Sequence, residues 1–235
     1  YKRQVLTRPT FQTLVLVSII PSVLAVLILA IGAKDIKPKG GATKPSLSLK
    51  GMDKRFLIYL GVTILFTLGN SSDSFIVLRG QERGLSLLQV MGMLLTFNFI
   101  YSLLSTPLGI LSDKIGRHRM ILFGWLLYAL IYFGFALSKT GAGIWAFYGL
   151  YGIFYAFTEG TGKALIADLV PDEKRGTAYG LYAMAVGLSA LPASAIAGLL
   201  WQGVGTWTGF GAPAPFFFGA GLSLLAGLLF WKFVK

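Results

Sequence analysis

Residues Gly109 to Arg119 form a short, charged, glycine-punctuated turn between two long apolar runs. Asp113, Lys114, Arg117 and Arg119 cannot sit cheaply in hydrocarbon, so the turn must lie at a water face. The flanking runs, Ser86 to Leu111 and Met120 to Leu137, approach or exceed the ~18–20 apolar residues that cross a bilayer. With so few residues between them, the two runs are expected to form a membrane helical hairpin with a charged tip.

Composition agrees with a membrane chain. Of 235 residues, 55% are hydrophobic and 13% charged, and the mean hydropathy is +0.71. A soluble domain carries about 25% charged residues, roughly twice as many. The net charge of +12 raises the question of nucleic acid. The basic residues, however, fall between apolar runs, where membrane topology places them, so no nucleic-acid partner is expected. The chain has no cysteine and one histidine, His118, which sits in the charged turn. That leaves no basis for a metal site, a cofactor or a Ser/His/Asp nucleophile set, and the chain does not read as an enzyme.

Seven apolar runs are visible: Phe11–Ile31, Phe56–Leu78, Ser86–Leu111, Met120–Leu137, Ile144–Val170, Thr177–Trp201 and Pro215–Val234. Short connections imply antiparallel neighbours. Residues 32–55 are rich in Lys, Gly and Pro without an apolar period, and read as a basic linker. The expected division is therefore residues 1–31 as one membrane helix, 32–55 as linker and 56–235 as a six-helix bundle. Placing the linker in the cytoplasm puts fourteen Lys and Arg on that side and six on the other, which the positive-inside rule favours. Trp145, Trp201, Trp207 and Trp231 near the run ends suit interfacial anchors. The expected location is multi-pass in the cell's inner (plasma) membrane, with the lipid bilayer as a partner.

Within the turn, Gly109, Leu111, Asp113, Lys114, Gly116 and Arg117 follow the spacing Gly-x-Leu-x-Asp-(Lys/Arg)-x-Gly-Arg-(Lys/Arg). This resembles the loop signature of the major facilitator superfamily of secondary transporters. His118 stands where that pattern usually has Lys or Arg, with the basic charge displaced to Arg119. The segment Ala167–Gly176, with Pro171, Arg175 and Gly176, resembles the superfamily's Pro-x-x-x-Arg-Gly loop at the matching place. The resemblance implies an all-α integral membrane fold with seven transmembrane helices, six of them forming one half bundle. The first run would be helix six, the linker the central cytoplasmic loop and the remaining runs helices seven to twelve. The N-terminal half would be a missing partner, in keeping with a chain that starts at Tyr1 and reads as a fragment. The implied function is secondary active transport of a small-molecule substrate by alternating access, as symporter or antiporter, with protons as a candidate coupling ion. The alternative is a non-transporting membrane scaffold or sensor on the same helices.

Ionisable groups occur inside two of the runs: Asp73 in the second, and Glu159 with Lys163 in the fifth. Charges at membrane depth tend to face a cavity or a partner, so these runs are expected to line an aqueous path. The resemblance implies the same for helices seven and ten. Glu159 and Lys163 are four apart and share a helix face; a proton or substrate relay and a fixed ion pair both fit. Asn70 to Ser74 is a polar stretch just after Gly69, where a helix can loosen or end; solute contact and interhelical hydrogen bonding both fit. In the third run Asn98, Tyr101, Ser102 and Ser105 form one stripe, as cavity lining or helix-to-helix contact. Tyr128 and Tyr132, four apart on an otherwise apolar run, read as packing. The substrate and proton pathway is therefore assigned to Asn70, Asp73, Asn98, Tyr101, Glu159 and Lys163. A gating loop is assigned to Gly109, Asp113, Lys114, Gly116, Arg117, Asp168 and Arg175. Arg175 is expected to pair with Asp168, and Asp113 to face the positive N-terminal end of the sixth helix of the series.

Overall fold

A computed structural model describes residues 8–32, 49 and 51–234, and the chain divides into two units, residues 1–44 and 45–235. Most of the basic linker lies outside the described residues. In the first unit, α1 (Arg8–Gly32) carries Pro21 in its interior. Proline is tolerated in a membrane helix because local adjustments satisfy the freed carbonyl.

The second unit is a helical bundle of α2 (Lys54–Gly69), α3 (Ser74–Glu82), α4 (Leu87–Ile115), α5 (Arg117–Leu137), α6 (Gly141–Leu169), α7 (Arg175–Gln202) and α8 (Ala214–Phe233). A 3₁₀ turn, Asp172–Lys174, leads into α7. Among the described residues, five stretches are long and apolar enough to cross a membrane: α2 with α3, then α4, α5, α7 with its leading turn, and α8. Helix α6 is as long as α4 and is rich in Tyr and Gly. The chain is a multi-pass integral membrane protein.

Local sequence sets the ends. Ser86 opens α4 with a capping box: its hydroxyl accepts from Gln89 N, and the Gln89 side chain accepts from Ser86 N. Thr140 Oγ1 accepts from Gly143 N to open α6. Gly116 alone separates α4 from α5, with φ +98°, a conformation that glycine adopts without Cβ strain.

Helix α6 packs against α4 and α5, α5 against α8, α8 against α2, and α2 against α7. The core is aromatic, with Phe56, Tyr59, Tyr128, Tyr132, Tyr148 and Tyr151 among its fully buried side chains. Between helices in lipid, close packing rather than water exclusion drives association. One close approach joins α2 to α8: a Cβ at Gly219 would run into the Gly69 carbonyl and the Tyr132 ring. Another joins α6 to α4, where a Cβ at Gly152 would sit 2.8 Å from the Phe97 carbonyl. By contrast, only 17% of the most apolar stretch of α4 and of α7 is buried, against 61% for α5. Those two helices present apolar surface outward from the unit.

The second apolar run is therefore not one helix. It breaks at Asn70, whose own N–H bonds to the Thr67 carbonyl, and resumes at Ser74. Four polar side chains in a row compete with the backbone for hydrogen bonds, which explains the break. The resumed helix continues to Glu82 and takes Arg79, the residue just beyond the second apolar run, into full burial.

Candidate functional site

The break between α2 and α3 exposes backbone and side-chain acceptors to neighbouring helices, and tyrosines fill that need. Asn70 Oδ1 accepts from the hydroxyls of Tyr128 (3.3 Å), Tyr132 (3.4 Å) and Tyr151 (3.3 Å). The Tyr128 hydroxyl also reaches the Gly69 carbonyl at 3.1 Å. Tyr151 further reaches Asp73 Oδ1 at 3.4 Å. Tyr128 and Tyr132 come from α5 and Tyr151 from α6, so one amide gathers three helices. The reading of Tyr128 and Tyr132 as packing alone gives way to packing plus hydrogen bonding. The sequence signal was the four-residue spacing of two tyrosines in a helix with no other need for hydroxyls.

Asn70 and Glu159 line one partly open pocket, formed by α2, α5, α6 and α7. Six of its fourteen lining residues are aromatic, Trp125, Phe154 and Tyr155 among them. Residues Ile121 and Trp125 of α5 reach it although that run carries no ionisable side chain within the span. Glu159 Oε1 lies 2.6 Å from Lys163 Nζ, one helical turn along α6. Lys163 itself is outside the lining.

Two pathway candidates stand apart. Asn98 is exposed, and its Nδ2 donates to the Leu94 carbonyl of its own helix at 2.9 Å. Tyr101, half-buried, stacks on Phe97 and meets Tyr155 edge-on, with centroid separations of 6.2 and 6.0 Å. It therefore reaches the pocket wall through Tyr155 rather than lining it.

At the charged turn, Arg117 is the hub. Its Nη1 lies 2.6 Å from Asp168 Oδ2 and its Nη2 lies 3.3 Å from Asp113 Oδ1. Nη1 also donates to the Ala164 carbonyl at 2.6 Å. Arg175 does not take Asp168. It pairs with Asp172 at 3.0 Å and donates to the Ala167 carbonyl at 3.1 Å. Asp113 is thus engaged by Arg117 of the next helix. Lys114 is exposed, and Gly109 has open space where a Cβ would stand. His118 is not freely solvated, since its ring sits 4.4 Å from that of Phe230.

Residues 55–235 match the family model described as Major Facilitator Superfamily. The chain belongs to that superfamily. An uncharacterized MFS-type transporter of Methanocaldococcus jannaschii is 30% identical over 226 residues, 94% of this chain and 55% of that protein. The vesicular acetylcholine transporter of Tetronarce californica is 31% identical over 121 residues, 51% of this chain and 24% of that protein. The transporter of the same name from Torpedo marmorata matches to the same extent. The chain thus spans about half the length of the archaeal relative and less of the vesicular ones. The pocket lining and the Arg117 hub both fall within the residues matched to that family.

Proposed function

We propose that this chain is the C-terminal half of a secondary transporter that moves a small solute by alternating access. The observation that supports this best is the shared pocket: a broken-helix amide, Asn70, and a span carboxylate, Glu159, line the same concavity. A carboxylate in a membrane span is costly unless a cavity or partner meets it, and here both are present. Asp73 extends the polar surface above the pocket through Tyr151, and Tyr101 supports its wall. The apolar faces of α4 and α7 offer the surface against which an N-terminal half would sit. The Arg117 hub, with Asp113 and Asp168, acts as a latch on the cytoplasmic ends of α4, α5 and α6. Arg175, Lys114, Gly109 and Gly116 shape the loops around that latch. The linker at 32–55 lies in the cytoplasm under the positive-inside rule. Glu159 is the group through which protons would couple, and the name of the vesicular relatives is in keeping with a small organic solute.

The test uses the intact protein in a background free of cysteine. A single cysteine is placed at Thr158, which lines the pocket on α6. In right-side-out and inside-out vesicles, a water-soluble maleimide should label it from each side in turn. Shielding from both sides under every condition would end the transport reading. In proteoliposomes, a Glu159→Gln variant with an unchanged response to an imposed pH gradient would remove Glu159 from proton coupling.

A further inference from the structure

Two contacts fix how α5 and α8 lie together. The Ser223 hydroxyl donates to the Trp125 carbonyl at 2.7 Å, and nearer the charged turn the His118 ring lies 4.4 Å from that of Phe230. The two helices are therefore antiparallel, with the start of α5 beside the end of α8. Along this seam runs an open groove lined by Leu122 and Leu126 of α5 and by Leu224, Gly227, Leu228 and Trp231 of α8. Leu126, Leu228 and Trp231 are each more than half exposed. Gly227 is itself buried yet has open space where a Cβ would stand, so it marks a gap that a neighbouring chain can enter.

Arg119 stands at the mouth of this groove. It precedes Leu122 and Leu126 by three and seven residues, so it shares their face of α5. The His118–Phe230 contact brings it level with Trp231. Its side chain is exposed and leans toward the start of α5, which is the water end. The carboxylates of the turn do not claim it, because Arg117 holds both Asp113 and Asp168. Lys232 lies at the same end, but its ammonium sits over the Phe233 ring, 5.2 Å from the centroid. Arg119 is thus the cation that a group at the mouth meets.

We propose that this groove binds an anionic phospholipid, with one acyl chain lying along Gly227 and the headgroup phosphate on Arg119. From Arg119 to Leu126 the helix rises about 10 Å, which carries a chain from headgroup depth into hydrocarbon. Lipid tails are as apolar as leucine, so filling the groove is a matter of packing and does not select among lipids. Selection comes from the headgroup. A zwitterionic lipid carries its own cation beside the phosphate, whereas an anionic one keeps its net charge for the guanidinium. The groove shares no lining residue with the pocket, so the proposal does not rest on the transport reading.

The test places the intact protein in phosphatidylcholine vesicles containing brominated phosphatidylglycerol or, separately, brominated phosphatidylcholine. Bromine on an acyl chain quenches a tryptophan that it touches, and the Trp231 signal is the difference between the parent and Trp231→Phe. Phosphatidylglycerol should hold the groove about fivefold more tightly than phosphatidylcholine, the effect of one basic residue beside a charged headgroup. Arg119→Gln should bring the two lipids close to equal. Gly227→Leu, which fills the groove and changes no charge, should also remove the preference, and the smaller Gly227→Ala should reduce it. Arg119→Gln alters an exposed side chain, so its result decides whether or not Gly227→Leu folds. Equal quenching by the two lipids in the parent overturns the inference, as does a preference that Arg119→Gln leaves intact. A preference that survives both Gly227 variants overturns it too, because anionic lipid would then be drawn to the basic surface at large. So does a Trp231 that neither lipid quenches, since another protein surface would cover the groove.

Discussion

Arg117 Nη1 lies 2.6 Å from Asp168 Oδ2 while Nη2 of the same guanidinium lies 3.3 Å from Asp113 Oδ1. One planar fork, held at the start of α5, thereby joins the end of α4 to the end of α6. The bond to the Ala164 carbonyl adds a third attachment, at the negative end of the α6 dipole. Arg175 performs a similar service one turn on, at the Ala167 carbonyl. The end of α6 is thus closed by two arginines, the first residues of α5 and α7. Lysine could replace the charge of either, but not the fork.

The first prediction concerns this hub. Its members are partly exposed, so Arg117→Ala should cost about 1 kcal/mol or less in stability. Its effect on state should be larger. With the latch lost, labelling of Thr158→Cys from the cytoplasmic side should rise severalfold relative to the outer side. Exchanging the charges, as Arg117→Asp with Asp168→Arg, should bring the ratio back toward that of the parent. If the exchanged pair stays as shifted as the single variants, the pair is not what holds the cytoplasmic ends together.

The Asn70 cluster yields a second prediction, from counting protons. Each phenol has one to donate, and an amide oxygen has two lone pairs for three phenols. Tyr128 has the shorter bond to the Gly69 carbonyl, and Tyr151 has Asp73 as a second acceptor. Tyr132, fully buried, has Asn70 as its one hydroxyl acceptor among the described bonds. Asn70→Ala should therefore strand Tyr132 and cost about 1–3 kcal/mol. Tyr132→Phe should cost less in the Asn70→Ala background than alone. Thermal melts of the four proteins in one detergent measure this, and additive losses would show that the bond does not bear on stability.

The sequence made the hairpin, the two charged turns and the polar stretch after Gly69 legible, because hydropathy and spacing encode depth and face. Gly116 was recognisable by pattern, and its φ of +98° supplies the reason. Partner choice was not legible. Asp168 and Arg175 lie close in sequence, yet the direction in which α5 leaves Gly116 brings Arg117 to Asp168 instead. The stripe of Asn98 and Tyr101 gave a helix face but not what that face meets, and Asn98 spends its amide on its own helix. The aromatic residues of the pocket are not legible as such, since aromatics in an apolar run look alike whether they meet lipid, core or solute.

Arg79 was the side chain that hydropathy misplaced most, and it gives the third prediction. Only 1% exposed, its guanidinium donates to the carbonyls of Phe135, Ala136 and Ser138 at 3.4, 3.1 and 3.5 Å. Those carbonyls belong to the C-terminal turn of α5, which its own helix leaves unpaired. Nη1 reaches Glu82 Oε2 at 2.8 Å, and that carboxylate is 45% exposed. The buried work is therefore done on backbone, and the ion pair mainly neutralises the charge. Arg79→Met, which keeps the bulk and removes every donor, should cost about 1–3 kcal/mol, the scale of leaving buried acceptors unpaired. Arg79→Lys should fall between, since one ammonium cannot span three carbonyls in a plane. Glu82→Gln should cost under about 1 kcal/mol, as exposed pairs do. Melting temperatures of the three variants should follow that order. If Glu82→Gln destabilised as much as Arg79→Met, the staple between α3 and α5 would be the ion pair, and the capping of α5 would be incidental.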